Sequence, residues 1–158
     1  MTDAALRIER VEITLPDPQA LIAALNLEVS QLYGLGLDQF FRLDAEEVAP
    51  GQGAFLVAYS GDKAVACGAV RLLNPNEAEV KRMYVRPEFR RQGIGRLILK
   101  AIEAEARLLD VSRIMLQTGV KQPGAIAMYA KAGFSEIPVF PPYQDAPGSV
   151  CMAKQLVV

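Results

Sequence analysis

The chain of 158 residues contains no histidine. Catalytic triads built on histidine and most zinc enzymes need an imidazole, so the sequence excludes both classes. Cysteine is scarce as well: Cys67 and Cys151 lie far apart, without Cys-x-x-Cys spacing. This separation favours two small buried residues over a redox pair or a nucleophile. We therefore expect no metal site and no thiol chemistry.

Long apolar runs are missing too. A run such as residues 54–59 is far shorter than the ~20 residues that cross a bilayer, and Asp3, Arg7 and Glu9 interrupt the first residues, where a signal peptide would be apolar. The 17 basic and 18 acidic residues leave a net charge of -1, without the positive field of a general nucleic-acid binder. We expect a cytoplasmic globular protein of one domain that binds no membrane and no nucleic acid.

Apolar periodicity and turn residues predict the order of the elements. The predicted strands cover residues 6–13, 54–60, 64–73, 79–85, 113–118, 134–140 and 150–157. A first helix follows Asp17, its predicted N-cap, and runs to about Tyr33; a short second helix lies within residues 37–48, a long helix follows Gly93, and a last helix covers residues 124–132. Strand-helix-strand segments bring parallel pairing and meanders bring antiparallel pairing. The predicted fold class is therefore α/β, with a mixed sheet and helices on both faces.

The helix after Gly93 is strongly amphipathic. Its predicted apolar face comprises Ile94, Leu97, Ile98, Ala101 and Ile102, and its predicted polar face comprises Arg96, Lys100, Glu103 and Arg107. This pattern is typical of a helix that packs on a sheet.

Positive charge concentrates just before and within this helix. Seven of the 17 basic residues lie in one window that holds a single acid, Glu88: Lys81, Arg82, Arg86, Arg90, Arg91, Arg96 and Lys100. Gly93-Ile94-Gly95 lies between a strand and a helix start, where backbone N–H groups and the helix dipole favour a phosphate. A dinucleotide fingerprint would need a third glycine where Ile98 stands, and no Gly-Lys-Ser/Thr follows for a P-loop. The window predicts a site for another phosphate ligand, the alternative being a surface turn.

Three segments together carry a family resemblance. Arg90-Arg91-Gln92-Gly93-Ile94-Gly95 resembles the R/Q-x-x-G-x-G/A signature of the GNAT superfamily of acyl-CoA-dependent N-acyltransferases. Met83-Tyr84-Val85-Arg86-Pro87 is similar to the cofactor-binding strand and turn of that family, and Ala125-x-x-x-Tyr129-x-x-x-Gly133-Phe134 to its second motif. The three segments lie within residues 79–134, about a third of the chain, and the first 75 residues resemble the family only in element order.

The resemblance implies one GNAT domain over residues 1–158, with a mostly antiparallel sheet of about seven strands whose fourth strand splays from the fifth. It implies acetyl-CoA as cosubstrate and an amine as acceptor, and it leaves assembly as a homodimer open. The pantetheine arm would lie along the backbone of Met83, Tyr84 and Val85. The diphosphate would rest on the N–H groups from Arg91 to Arg96. The implied cofactor-binding residues are Met83, Tyr84, Val85, Arg90, Arg91, Gln92, Gly93, Ile94, Gly95, Arg96, Gln122 and Tyr129. Gln122 stands where many family members have asparagine.

The implied reaction is direct attack of a neutral primary amine on the thioester. Tyr129 matches the tyrosine that donates a proton to the departing thiolate, and the alternative is a tyrosine packed between helix and sheet. Glu79 lies eleven positions before Arg90, where some members have a general base; the alternative is a strand-surface glutamate that pairs with Lys81. The backbone N–H of Val85 would bind the oxyanion.

Acceptor choice would fall to segments outside these motifs. Tyr33, Phe40 and Phe41 and the Phe140-Pro141-Pro142-Tyr143 tail are candidates to wall an acceptor site, with core packing as the alternative. The lack of a dense acidic patch favours a small amine or an amino-acid-like acceptor over a basic protein tail. Two other functions stay open at this stage: a non-catalytic acyl-CoA-binding sensor or scaffold, and a phosphate-binding protein without thioester chemistry.

Overall fold

The computed structural model describes residues 5–34 and 42–156, so the predicted roles of Phe40 and Phe41 lie outside the described residues. The strands are β1 (Leu6–Arg10), β2 (Gly53–Ser60), β3 (Lys63–Asn74), β4 (Glu77–Val85), β5 (Arg113–Gly119), β6 (Ser135–Ile137) and β7 (Ser149–Gln155). The helices are α1 (Pro16–Tyr33), α2 (Ile94–Leu108) and α3 (Pro123–Lys131), with short 3₁₀ helices at Ala45–Val48, Pro87–Phe89 and Tyr143–Asp145. In the part of the chain that the structure describes, no helix is long and apolar enough to cross a membrane.

All seven strands form one sheet in the order β1-β2-β3-β4-β5-β7-β6. Neighbouring strands are antiparallel except β4 and β5, which are parallel. Short turns reverse the chain between β2 and β3 and between β3 and β4, so these strands are antiparallel. Helix α2 instead returns the chain to the end of the sheet where β4 begins, so β5 runs parallel to β4. This topology confirms the predicted mixed, mostly antiparallel sheet.

Helices cover both faces of the sheet, as predicted. On one face α2 contributes Ile98 and Ile102 to a buried cluster that also holds Tyr129 of α3. On the other face Leu21 of α1 packs in a second cluster with Phe55 of β2. Alternate residues of β2 belong to the two clusters, because successive side chains of a strand point to opposite faces.

The predicted faces of α2 are wrong at two positions. Leu97 is 46% exposed, whereas Glu103, assigned to the polar face, is only 8% exposed. The reason is a tertiary ion pair: Nζ of Lys154, on β7, lies 3.0 Å from Oε1 of Glu103. A carboxylate with such a partner tolerates burial.

The predicted N-cap of α1 is also wrong. The helix begins at Pro16 with Leu15 as its N-cap residue, so Asp17 lies in the first turn. Proline fits the first turn because it has no N–H to leave unpaired and its φ is already helical. The carboxylate of Asp17 instead accepts a hydrogen bond from the hydroxyl of Tyr59 at 2.9 Å.

The strand predicted over residues 134–140 is much shorter in the structure. Only Ser135–Ile137 pairs with β7 as β6. Pro138 follows directly, and Pro141 and Pro142 come soon after. Proline cannot donate to a sheet ladder, so pairing stops where the prolines begin.

The centre of the sheet is open between β4 and β5. Their pairing covers residues 77–80 of β4 and 113–116 of β5. β4 nevertheless remains paired with β3 as far as Val85, and β5 with β7 as far as Gly119. The second halves of these strands therefore diverge, which confirms the predicted splayed pair and creates a wedge.

Candidate active site

Two adjoining cavities lie at this wedge. The large cavity, about 800 Å³, is bounded by the end of β4 and the first turns of α2 and α3. The small cavity, about 110 Å³, is bounded by α1, β4, β5 and the segment around Tyr143. The residues shared by both linings are Leu25, Met83, Gln122, Ala125 and Tyr129.

The large cavity collects the predicted cofactor-binding residues. Those that line it are Met83, Tyr84, Val85, Arg90, Arg91, Gly93, Ile94, Gly95, Arg96, Gln122 and Tyr129. Gln92 is not among the lining residues; it is exposed in the turn before α2. The fold thus brings together residues from β4, the following turn, α2 and α3.

The start of α2 brings N–H donors to the large cavity. Gly93 is the N-cap residue with φ of 80°, and Arg91 has φ of 65°, so the chain turns sharply into the helix. The first N–H groups of a helix have no intrahelical acceptor and carry the positive end of its dipole. Gly95 has a further role, because a Cβ there would lie 3.0 Å from Sδ of Met128 on α3. The Gly-x-Gly sequence therefore starts the helix at the large cavity and lets α2 approach Met128 of α3 closely.

Only part of the basic window lines the large cavity, namely Arg90, Arg91 and Arg96. Arg90 is held by Glu28 of α1, its Nη2 lying 2.7 Å from Oε1. Arg86 lies outside this lining and donates to a backbone carbonyl of β3 at 3.0 Å. All three are exposed, but Arg90 already has a carboxylate partner, so Arg91 and Arg96 are the best situated to pair with a phosphate.

The backbone of β4 presents donors to the wedge. The N–H of Arg86 donates to the carbonyl of Val65 on β3 at 2.9 Å. Successive N–H groups of a strand point in opposite directions, so the N–H of Val85 points away from β3 and toward the open side. It is therefore available to a ligand in the wedge.

Tyr129 lies at the junction of the two cavities. Its ring meets Phe134 edge to face, with centroids 5.8 Å apart, and the residue is only 5% exposed. Desolvation by burial raises the pKa of its phenol above the ordinary value. The hydroxyl accordingly stays protonated throughout the physiological pH range.

Gln122 and Tyr33 meet at the end of β5. The hydroxyl of Tyr33 accepts from the backbone N–H of Lys121 at 3.0 Å and lies 3.4 Å from Oε1 of Gln122. Gly119 makes this arrangement possible, because a Cβ there would lie 1.9 Å from the Tyr33 hydroxyl. Tyr33 therefore lines the small cavity, as predicted, while it also anchors the end of α1.

Glu79 lines the small cavity, and the alternative of a strand-surface glutamate that pairs with Lys81 is wrong. The residue is 1% exposed, and its Oε1 accepts from Nε of Arg71 at 3.0 Å. Its Oε2 accepts from the hydroxyl of Tyr143 at 2.5 Å. Burial is tolerated because both carboxylate oxygens have a donor.

Arg71 and Tyr143 were missed as partners of Glu79. Arg71 is the single charge within the apolar stretch of β3, and the strand register sets it directly opposite Glu79. Its Nη1 also lies 2.5 Å from Oε2 of Glu47. The isolated charge of Arg71 in an apolar strand could have indicated a buried ion pair. No local sequence pattern connects Tyr143 with β4.

Lys81 also lines the small cavity. Its ammonium donates to the backbone carbonyl of Arg42 at 2.6 Å. Desolvation lowers the pKa of this lysine, and the negative charge of Glu79 partly offsets that effect. Lys81 is thus a partly desolvated cation in the lining of the small cavity.

Both cysteines are free and buried, as predicted. The thiol of Cys67 lies 3.2 Å from the carbonyl oxygen of Arg82, and burial raises its pKa to about 12. Such a thiol is unsuited to nucleophilic attack. Among residues 5–34 and 42–156, no group of three or more His, Cys, Asp or Glu side chains is arranged to hold a metal ion.

Comparison with known proteins agrees with this geometry. The sequence matches the acetyltransferase (GNAT) family over residues 21–134. The chain belongs to this family. It is 42% identical over 137 residues to the IAA acetyltransferase of Azospirillum brasilense, with 86% of this chain and 88% of that protein covered.

Solved structures of GNAT proteins share the fold. A proposed acyl-CoA N-acyltransferase from Klebsiella pneumoniae superposes with a TM-score of 0.83 at 35% identity, covering 98% of this chain and 100% of that one. A GNAT acetyltransferase from Elizabethkingia anophelis, determined with acetyl-CoA bound, has a TM-score of 0.70 at 18% identity, with 98% and 100% covered. The chain is accordingly a GNAT N-acetyltransferase; catalytic acetyl transfer is supported, and a non-catalytic sensor or scaffold is not.

Proposed function

We propose that this enzyme transfers the acetyl group of acetyl-CoA to a primary amine of a small molecule or peptide by direct attack. The observation that carries the proposal is the position of Tyr129, which lines both cavities. One cavity then holds the cosubstrate, the other holds the acceptor, and a proton donor stands between them.

The large cavity suits acetyl-CoA. The diphosphate would accept hydrogen bonds from the first N–H groups of α2 and pair with Arg91 and Arg96, since charge-assisted bonds to phosphate are strong. The pantetheine arm would extend along β4 at Met83 and Val85, whose strand lacks a β5 partner there. This arrangement directs the thioester toward Tyr129.

The reaction needs two proton transfers. The amine nitrogen attacks the thioester carbon, and the oxyanion that forms accepts a hydrogen bond from the N–H of Val85. The C–S bond then breaks, and the phenol of Tyr129 gives its proton to the departing sulfur. The transfer moves the negative charge from sulfur to the phenolate of Tyr129. The phenol is restored when the proton that nitrogen loses returns to Tyr129 through solvent.

Glu79 is the proposed acceptor of the proton that nitrogen loses. Its carboxylate lines the small cavity, and one water between carboxylate and amine would complete the relay. Arg71 and Tyr143 hold the carboxylate in one orientation. The products are an N-acetylated amine and free CoA.

A thiol-release assay across amines, amino acids and peptides tests the proposal. Acetyl-CoA-dependent release of free thiol is expected with at least one of these acceptors. In parallel, acetyl-CoA should raise the melting temperature more than NAD or ATP at equal concentration. Equal shifts with all three ligands, without thiol release, would refute the assignment.

We further propose that the chain works as a single domain in the cytoplasm. The two unpaired, buried cysteines support a reducing compartment. Fractionation of the source cells, with the enzyme recovered outside the cytoplasmic fraction, would contradict this location.

A further inference from the structure

The side chain of Arg90 is bonded to the end of β4. The 3₁₀ helix Pro87–Phe89 ends at Arg90, whose backbone N–H donates to the carbonyl of Pro87 at 3.2 Å. This turn brings the Arg90 side chain back to the strand, where its Nε donates to the carbonyl of Val85 at 2.8 Å. The guanidinium also lies over the ring of Tyr84, 5.6 Å from its centroid. Arg90 therefore contacts the last two residues of β4.

The carbonyl of Val85 lies on the side of β4 that faces the wedge. The N–H and the carbonyl of one strand residue point to the same side of the strand, and the N–H of Val85 points away from β3. Strand β5 pairs with β4 only as far as Val80, so it does not hold Val85. The side chain of Arg90 takes the position beside Val85 that a strand partner would have, and it holds the backbone there.

A carboxylate on α1 fixes the other end of the Arg90 side chain. Nη2 of Arg90 donates to Oε1 of Glu28 at 2.7 Å. One guanidinium can bond two elements in this way because it is planar and carries several N–H donors in a fixed geometry. The two side chains are 40% and 33% exposed, and an ion pair with such exposure contributes little to stability. Its effect is therefore on the position of the guanidinium.

We propose that Arg90, held by Glu28, is a positioning residue for acetyl transfer and not a partner of the diphosphate. It fixes the backbone of Val85, so that the N–H of Val85 points at the oxyanion. This inference rests on the proposed function, in which that N–H binds the oxyanion. Because the oxyanion forms only during the reaction, Arg90 should affect kcat more than it affects the binding of the cosubstrate.

Kinetics with acetyl-CoA and calorimetry with CoA separate the two roles, with the amine acceptor that gives the fastest thiol release. Arg90→Met should lower kcat about 10-fold or more and change the Kd for CoA less than about 3-fold. Arg90→Gln should keep most of kcat, because Nε2 of glutamine stands at the same position along the side chain as Nε of arginine and can donate to the same carbonyl. A diphosphate ligand would need the charge, so both variants would then raise the Kd for CoA alike.

S-acetylpantetheine, a thioester without the diphosphate, provides a second measurement. Arg90→Met should lower kcat/KM by a similar factor with this thioester and with acetyl-CoA, whereas Arg96→Ala should lower it mainly with acetyl-CoA. Arg86→Met is the matched control. Nε of Arg86 also donates to a backbone carbonyl, that of Ala64 at 3.0 Å, but Arg86 lies outside both cavity linings. This control should keep kcat within about 3-fold of wild type.

Glu28→Ala tests the contact with α1. It should lower kcat about 3-fold to 10-fold in wild type, because Arg90 loses its anchor. In the Arg90→Met background it should have no further effect, because Glu28 acts through Arg90. Losses that multiply in the double variant would contradict the anchoring role of Glu28.

Thermal unfolding of each variant separates a loss of folding from a loss of positioning, and Glu28→Ala continues the test if Arg90→Met does not fold. A raised Kd for CoA with unchanged kcat in Arg90→Met, or equal losses of kcat in Arg90→Met and Arg86→Met, would overturn the inference and leave the proposed function standing. Absence of thiol release with every amine and peptide would instead overturn the proposed function itself.

Discussion

The hydroxyl of Tyr143 donates to Oε2 of Glu79 at 2.5 Å and joins the last 3₁₀ helix to the centre of β4. Arg71 holds the other oxygen of the same carboxylate. The orientation of Glu79 is therefore set by two partners from different parts of the chain. Tyr143 is a positioning residue, since it acts on the proposed base and has no part in proton transfer.

Tyr143→Phe should lower kcat about 10-fold or more, because a misplaced base works less well. It should also lower the free energy of unfolding by about 1–3 kcal/mol, because a buried carboxylate oxygen loses its donor. Tyr59→Phe is the control: it removes another tyrosine–carboxylate bond, to Asp17, and should affect stability alone. An unchanged kcat in Tyr143→Phe would reduce Tyr143 to a structural role.

Tyr129→Phe should lower kcat about 100-fold while the KM for acetyl-CoA changes less than about 3-fold, because the variant loses only the proton donor. Steady-state kinetics measure both constants. In wild type, burial raises the pKa of Tyr129, so ionisation of this residue should cause no loss of rate below pH 10. An unchanged kcat in the variant would remove the general-acid role.

Arg96→Ala should raise the KM for acetyl-CoA about 10-fold with little change in kcat, because it removes a charged partner of the diphosphate. Lys100→Ala is the matched control, since it removes one charge a turn further along α2 and outside both cavity linings. Added salt should reduce the difference in KM for acetyl-CoA between Arg96→Ala and wild type, because salt screens the ion pair with the diphosphate. Equal effects of the two substitutions would place the diphosphate elsewhere.

Gly119→Ala should destabilise the fold by about 1–3 kcal/mol, because its new Cβ would lie 1.9 Å from the hydroxyl of Tyr33. Gly124→Ala is the control: its Cβ would meet nothing within 4 Å, and alanine in α3 should add up to about 1 kcal/mol of stability. Urea unfolding measures the free energy of unfolding of both variants. If the contact between the new Cβ and Tyr33 is the cause, the double variant Gly119→Ala with Tyr33→Ala should lose less stability than the sum of the losses in the two single variants.

Stability should fall at alkaline pH. Burial raises the folded-state pKa of Tyr129 and Tyr143 above the ordinary value of 10.0. The unfolded chain then loses these protons at lower pH than the folded chain does, so their contribution is complete below pH 10 and is lost as pH rises above it. Urea unfolding between pH 8 and 11 should show the decline, with a shallower slope for Tyr129→Phe. The same dependence of unfolding free energy on pH in wild type and Tyr129→Phe would contradict the raised pKa of Tyr129.

Local sequence was sufficient for the element order. Alternation, turn residues and the amphipathic pattern after Gly93 depend on neighbours a few positions away, so they predict strands, helices and the mixed sheet. The helix start at Gly93 and the family motifs likewise led to the residues that line the large cavity. The splayed strand pair followed from the resemblance and not from any local pattern.

Side-chain contacts between segments distant in the chain could not be predicted from local sequence patterns. Glu103 is buried by Lys154, Asp17 bonds Tyr59, and Glu79 bonds Tyr143, and in each case the contact joins segments distant in the chain. Side-chain type indicates what a residue is able to bind but not which residue the topology brings to it.

The sequence by itself determined the elements, their order, the basic turn before the long helix and the family to which the chain belongs, because these reside in short-range patterns. Only the tertiary structure decided that Glu79 is buried between Arg71 and Tyr143 and that Lys81 and Arg82 share one cavity. The physical reason is that strand register and a β-bulge, which depend on pairing with β3, determine where the side chains of β4 point.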